Sequence, residues 1–346
     1  MRPRRRKACI DQQVLHQAPV RQGGRELGGP GLADAEYILP LKWNDGGDLA
    51  SLCRYLEDLS RWISVLVVDG SPPGQFAQHA KAFPAAVRHC RPLPLGCTNG
   101  KVEGVLTGVQ LSWREYLVIA DDDVRYTRDS LERAVGLLGE ADAVRPQNYF
   151  LDPKPWHARW DTARTLINRA FGSDYPGTLT IRRSTLQAAG GYSGNVLFEN
   201  LELLRTIRAA GGREIRADNL FVPRISCSVR HFRGQRIRQA YDDFAQPARL
   251  GVEAALLPLL LVLLKKPGGL LLAAAASILV AEAGRRRADG ARVFAADAAL
   301  WAPLWVGERA VGIWVAVGWR LRGGIPYAGK RLLVAAHSVR RLRRTL

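Results

Sequence analysis

The chain has 346 residues, 47% of them hydrophobic, and a formal net charge of +18. That length accommodates one large domain plus an appendage, and the hydrophobic share is that of a folded chain, not a disordered one. The basic residues crowd between Arg2 and Lys7 and again between Arg320 and Arg344. These clusters flank apolar blocks and carry no interleaved RNA-reading motif, so they point to an anionic membrane surface and away from nucleic acid.

The five cysteines, Cys9, Cys53, Cys90, Cys97 and Cys227, are odd in number and show no Cys-x-x-Cys spacing. This predicts reduced thiols in a cytosolic setting and no zinc site. No apolar run follows the basic start, so residues 1–34 read as a flexible basic lead-in and not as a secretory signal.

Taken in order, Glu36 to Trp43 reads as a first strand, with Pro40 near its end. Asp48 is placed to cap a helix on which Leu49, Leu52, Cys53, Leu56 and Leu59 fall at helical spacing. Ile63 to Val68 is continuously apolar, as a buried parallel strand is, and ends in Asp69 and a Gly-Ser-Pro-Pro turn. Ala86 to Cys90 is a third strand, and Thr98 to Lys101 opens a helix that runs to about Leu111. Tyr116 to Ala120 is a fourth strand, followed at once by Asp121, Asp122 and Asp123.

Three adjacent carboxylates at a strand end repel one another unless a cation neutralises them. Hard oxygen ligands select Mg²⁺ or Mn²⁺, and such ions bring phosphates with them. In an open α/β sheet the carboxyl ends of the strands are where ligands sit. The competing reading is a solvated turn capping the helix from Asp129 to Leu138.

Strand and helix alternate through Ala141–Pro146, which predicts a mostly parallel sheet covered by helices on both faces. Residues 150–176 look less regular; Trp156, Trp160 and Tyr175 there either line a binding surface or pack a subdomain. Gly177 to Arg183 is a strand, Ser184 to Ala189 a short helix ended by Gly190-Gly191, and Phe198 to Gly211 a helix with acids in its first turn. No dinucleotide fingerprint or Walker lysine is present.

From about residue 250 the character changes. Val252–Leu264 and Leu270–Ala281 are apolar, interrupted by Lys265-Lys266-Pro267-Gly268-Gly269, and a second block, Val293–Trp319, holds four tryptophans with Asp297, Glu308 and Arg309. Intramembrane charges are costly unless paired, and tryptophan favours the lipid–water interface. The tail reads as short, partly interfacial membrane helices; the rival is a soluble helical lobe.

In this order the pieces resemble the family 2 glycosyltransferases, which have the GT-A fold. Ile38-Leu39-Pro40 resembles the family's first strand and Val65–Ser71 its second, with the acid that meets the nucleotide base. Asn99–Gly108 resembles the glycine–lysine helix start near the nucleotide, and Asp121-Asp122-Asp123 the Asp-x-Asp motif. Gly190-Gly191-Tyr192 with Phe198–Leu203 resembles the acceptor-side segment. The tail is similar to that of lipid-directed, ceramide glucosyltransferase-like members, with Arg322–Lys330 as a loose counterpart of their Gly-Tyr segment.

The resemblance divides the chain into residues 1–34, a catalytic domain over 35–249 and a membrane-associated tail over 250–346. It implies inverting transfer of a sugar from a nucleotide diphosphate sugar, a UDP-sugar by preference, to a membrane lipid or lipid-linked acceptor, with the catalytic domain on the cytoplasmic side of the cell membrane. Pro40, Asp69, Lys101, Asp121, Asp122, Gln235 and Arg238 would bind the nucleotide sugar, and Asp123 with Asp121 would hold Mg²⁺ or Mn²⁺.

Two departures follow. Where the family has its Asp base stands Asn200, which cannot accept a proton, so the role falls to Glu199 or Glu202, with Glu199 preferred. These two glutamates lie about 60° apart around a helix. The membrane-bound members' Gln/Arg-x-x-Arg-Trp is met by Gln235-Arg236-Ile237-Arg238, but Gln239 stands in place of the tryptophan. The rival functions are a processive polysaccharide synthase and a membrane-bound scaffold with a decayed catalytic domain.

Overall fold

The computed structural model describes residues 29–44, 47–172 and 174–346; most of the basic N-terminal segment, with Cys9, lies outside them. β1 (Ala35–Leu41) and β2 (Ser64–Asp69) are apolar along nearly their whole length and buried on both faces. Between them runs α1 (Leu49–Ser60), capped by the Asp48 carboxylate, which accepts from Ser51 N–H at 2.9 Å. α2 (Pro73–Ala82) leads to β3 (Val87–Cys90). α3 (Gly100–Leu111) leads to β4 (Tyr116–Ala120), and α4 (Arg128–Gly136) to β5 (Ala143–Phe150). The stretch 150–176, expected to be irregular, is largely α5 (Trp156–Ala170). Its polar residues turn inward to ion pairs, so the apolar periodicity that would have announced it is missing.

β6 (Thr178–Arg182), α6 (Arg183–Ala188) and α7 (Glu199–Ala209) follow. Two further elements give little sequence signal: β7 (Glu214–Arg224) and α8 (Val229–Tyr241). β7 breaks its pairing with β5 between Pro146 and Gln147, which skips Asp218, Asn219 and Leu220. That irregularity destroys the two-residue alternation on which strand recognition rests. The sheet order is β3-β2-β1-β4-β6-β5-β7. Only β6 runs against its neighbours, pairing antiparallel with β4 and β5.

α3 crosses β1 at two glycines. A Cβ on Gly104 would meet the Pro40 ring at 2.9 Å, and one on Gly108 would meet Ile38 at 2.5 Å. This close approach brings the first turn of α3, with Lys101, beside the carboxyl end of β4. Helices cover both faces of the sheet, with one core under α1 and α4 and the other under α3, α6 and α7.

The tail does not stand apart from this body. α10 (Pro267–Arg286) packs on α5, α11 (Ala302–Leu321) packs on α5 and α8, and α9 (Pro247–Leu263) packs on α11. After α11 comes a hairpin of β8 (Ile325–Tyr327) and β9 (Lys330–Leu332), then α12 (Val339–Leu342). Residues 334 and 335 pair with 196–198 through the bonds Leu197 N–H to Val334 O (3.1 Å) and Phe198 N–H to Ala335 O (2.8 Å). Glu253, Glu308 and Arg309, which interrupt the tail's apolar runs, face inward, whereas Lys265, Lys266 and Asp297 are exposed. Glu308 accepts from Trp160 Nε1 at 2.7 Å, Asp297 meets Arg159 at 2.8 Å, and Arg309 and Glu253 are buried together. The four tryptophans do not form one belt: Trp305 is buried in the core between α5 and α10, while Trp314 is half exposed.

The tail's outer face is apolar and open, with Val252, Leu264, Leu271, Leu272 and Leu279 each more than 60% exposed. Among the described residues one helical stretch, Pro267–Arg292, is long and apolar enough to cross a membrane.

α10 seats on α5 at Gly284, where an added Cβ would run into the Leu166 carbonyl. Gly284→Ala is therefore expected to lower stability by about 1–3 kcal/mol through overpacking. Thermal unfolding checks this: an unchanged Tm would mean that α10 does not rest on α5 through this contact.

Candidate active site

Asn99 is the pivot of the site's architecture. Its side chain caps α3 by accepting from Lys101 N–H at 3.1 Å, and its amide donates to Val196 O at 3.1 Å. The Tyr327 hydroxyl donates to the same Asn99 oxygen at 3.0 Å. One buried side chain thus fixes a helix start, the segment before α7 and the β8–β9 hairpin.

From the first turn of α3, Lys101 Nζ lies 2.5 Å from Asp121 Oδ1 and 2.8 Å from Glu199 Oε1. Burial alone would lower the ammonium's pKa, but the two carboxylates more than reverse that and raise it. Lys101 is therefore a permanent cation. Asp121 follows β4, and its N–H donates to Gly177 O at 2.9 Å. Gly177 has to lack a side chain here, since a Cβ would come within 2.6 Å of Asp121 Oδ2. Asp123 is turned the other way, into a small cavity of about 20 Å³ beneath the main cleft, where it is paired with Arg224 at the end of β7, whose Nε lies 3.1 Å away. Its Oδ1 is buried and accepts no bond. Burial and the neighbouring Asp121 and Asp122 raise its carboxyl pKa against the pull of Arg224.

These residues border a cavity of about 240 Å³. Lys101, Asp121, Glu199, Asn200, Gln235 and Arg238, all expected from the sequence, line it. Asn200 donates to Pro176 O at 2.8 Å, which makes it a wall residue. Gln235 and Arg238 project from α8, and Arg238 lies over the Tyr327 ring at 5.1 Å. Arg236, between them, points away to Asp161 at 2.7 Å.

The other expected residues stand elsewhere. Pro40 packs under α3. Asp122 is tied to the Trp43 indole N–H. Asp69 is fully buried, and its oxygens accept from Ser71 N–H at 2.9 Å, His79 at 2.7 Å and His89 at 3.1 Å. Burial pushes its carboxyl pKa up, but the hydrogen bonds from His89, Ser71 and His79 outweigh this and hold it well below the usual range. An acceptor so saturated is not free for a nucleobase; it fixes the loop after β2. Glu202 is also fully buried, with His337 N–H donating to one oxygen and His337 Nδ1 beside the other, both at 2.7 Å. It holds residue 337 and does not face the cavity.

Sequence reasoning missed the far wall. Arg224, Asp242, Arg249 and Arg309 line the cavity as well, the last two from the tail side, together with Tyr175, which the sequence offers as a lining residue. The inward charges of the apolar blocks were the available signal.

The two carboxylates expected to hold a divalent cation are not brought together as a ready pair: Asp121 lines the main cavity against Lys101, and Asp123 lines the smaller one. Among the described residues no group of three or more His, Cys, Asp or Glu is arranged as a closed metal cage. The free, buried Asp123 Oδ1 is a hard acceptor without a partner, and one or two carboxylates plus substrate phosphates is how Mg²⁺ is commonly held.

Residues 49–199 match the family model described as glycosyl transferase family 2. The chain carries a family 2 glycosyltransferase domain. The mostly parallel sheet with its flanking helices is the GT-A fold, and this domain makes the chain a glycosyltransferase. No curated protein matches the glycosyltransferase in sequence. Among solved structures it is similar to a mannosyltransferase from Pyrobaculum calidifontis in complex with GDP-Man and Mn²⁺, at 17% identity, over 82% of this chain and 89% of that one, with a TM-score of 0.45. It is also similar to glucosyl-3-phosphoglycerate synthase from Mycobacterium tuberculosis, in complex with Mn²⁺, UDP and phosphoglyceric acid, at 16% identity, over 59% and 73% of the two chains, with a TM-score of 0.39. Such distant likenesses carry neither donor nor acceptor over to this glycosyltransferase.

Glu202→Gln places an amide donor against the His337 N–H. Unsatisfied buried groups cost about 1–3 kcal/mol, so the variant is expected to unfold at lower temperature while the folded fraction keeps its nucleoside diphosphate affinity. Calorimetric titration alongside thermal unfolding reads both. Lost affinity with unchanged Tm would return Glu202 to the binding site.

Proposed function

We propose that the glycosyltransferase moves a sugar from a nucleotide diphosphate sugar, with inversion, to a lipid or lipid-linked acceptor at the cytoplasmic face of the cell membrane. The observation that carries this reading is one cavity with two unlike walls. One wall is the catalytic domain, with Lys101, Asp121 and Arg224. The other is built by α8 and the tail, whose outer surface is apolar and flanked by exposed Lys265, Lys266, Arg322 and Arg331.

In this reading the diphosphate lies on the Lys101 side. Lys101 and Arg238 oppose the negative charge that grows on the leaving diphosphate, as fixed cations placed where that charge develops. Asp121 and Asp123 would hold the divalent cation, which supplies further positive charge beside the phosphates. Tyr175 and Asn200 shape the wall where sugar and acceptor meet. A cavity carboxylate accepts the acceptor's proton, and Glu199 is the candidate that the sequence favours. The exposed leucines of α9 and α10 sit in the acyl region, and each basic side chain near an anionic leaflet adds about 1 kcal/mol of attraction.

The test is a panel of UDP- and GDP-sugars with a membrane lipid extract, in Mn²⁺, Mg²⁺ or chelator. Metal-dependent label in the lipid fraction is expected, falling at least about 10²-fold in Asp123→Asn. The absence of both turnover and nucleotide binding would leave the scaffold reading standing.

Membrane attachment is tested separately. Leu271→Asp with Leu272→Asp is expected to abolish flotation with phosphatidylserine vesicles while leaving nucleoside diphosphate affinity intact. Equal flotation of both proteins would remove the lipid surface from the proposal.

A further inference from the structure

The cavity holds one carboxyl group to which the preceding roles assign nothing. Asp242 begins the single turn Asp242–Ala245 that joins α8 to α9. Its side chain lines the cavity together with Glu199, and its Oδ1 is buried without a hydrogen-bond partner. A buried carboxylate oxygen left in that state is costly and uncommon.

The neighbouring residue makes the contrast. Asp243 is met by Arg249 at 2.9 Å and by Arg309 at 3.2 Å. The arginines of the tail wall therefore pair with Asp243, and Asp242 is left facing the cavity. Glu199 is in the opposite condition, because Lys101 sits on its Oε1 at 2.8 Å while also holding Asp121. The Glu199 oxygen is thus occupied by an ammonium, and Asn200 cannot take a proton.

We propose that Asp242, not Glu199, takes the proton of the acceptor hydroxyl, and that Glu199 is a positioning residue that fixes Lys101. This inference rests on the glycosyl-transfer reading. In the step, the acceptor O–H bond breaks and its proton passes to the Asp242 carboxylate. The oxygen's electron pair forms the new bond to the anomeric carbon. The bond from that carbon to the diphosphate oxygen breaks, and the nucleoside diphosphate leaves with the electron pair. Asp242 then returns its proton to solvent.

The surroundings suit the role. Burial raises the Asp242 carboxyl to about 8; the charge of Glu199 on α7 adds to this, while Arg309 on α11, Arg249 on α9 and Arg164 on α5 oppose it. A base whose pKa lies near the working pH transfers protons efficiently. The sign is that of a raised acid: the active, charged form accumulates only as pH rises through about 8.

The experiment is the pH–rate profile of the full chain, using the donor that the nucleotide-sugar panel selects. The wild-type rate is expected to climb with pH through an apparent value near 8. Asp242→Asn, nearly isosteric, is expected to lower kcat about 10²- to 10⁴-fold, to leave donor KM unchanged and to lose that rising limb. Glu199→Gln removes a charge that raises Asp242, so its limb is expected to move to lower pH and not to disappear. An Asp242→Asn enzyme within about threefold of wild type, or one whose donor affinity falls in step with kcat, overturns the assignment. A wild-type protein that turns over no donor overturns the glycosyl-transfer reading itself, and the inference with it.

Discussion

The site depends on one ammonium group between two carboxylates. Lys101 belongs to the first turn of α3, Asp121 to the end of β4 and Glu199 to the first turn of α7. Without the cation, Asp121 and Glu199 would face each other across a partly buried gap, and like charges there are strongly unfavourable. With it, the half of the domain that ends in the acidic triplet and the half that carries the second wall are held in one register. Breaking a buried pair by deleting one partner typically costs about 3–5 kcal/mol. Lys101 is only partly exposed, so its contribution lies toward that range and above that of a surface bridge.

The tail belongs to the same electrostatic arrangement. Its apolar helices carry few charges, and Glu253, Glu308 and Arg309 among them are turned toward the rest of the protein. Arg309 on α11 is 2% exposed and lies 3.2 Å from Asp243 and 3.4 Å from Glu253. The charges that look costly in a hydrophobic run are paired against the domain, leaving leucine and valine outside. A helix with that division has one face made for protein and one made for something apolar.

Much of the first half of the fold was legible because its strands are short apolar runs closed by turn residues. β1, β2 and β4 are buried on both faces, and their composition says so. Asp48 and Asn99 announced their helices by capping them. Lys101, Asp121, Glu199, Gln235 and Arg238 were singled out by residue type and order, and the fold brings all five to one cavity. Asp69 and Glu202 were misplaced for a physical reason: sequence shows a carboxylate but not whether its lone pairs are already used, and here histidines and backbone amides use them. β7 was hidden by its irregular pairing, and with it Arg224. Asp242 was hidden because it stands beside Asp243, and only the fold shows which of the two meets the arginines.

The strap at residues 334–337 has a consequence for how the protein is made. It pairs with 196–198 and its His337 satisfies Glu202, so the start of α7 lacks part of its support until that strap exists. Chains are synthesised from the N-terminus at about 5–20 residues per second, and the exposed leucines of α9 and α10 precede the strap in sequence. During translation the sticky surface therefore emerges before the cleft is finished.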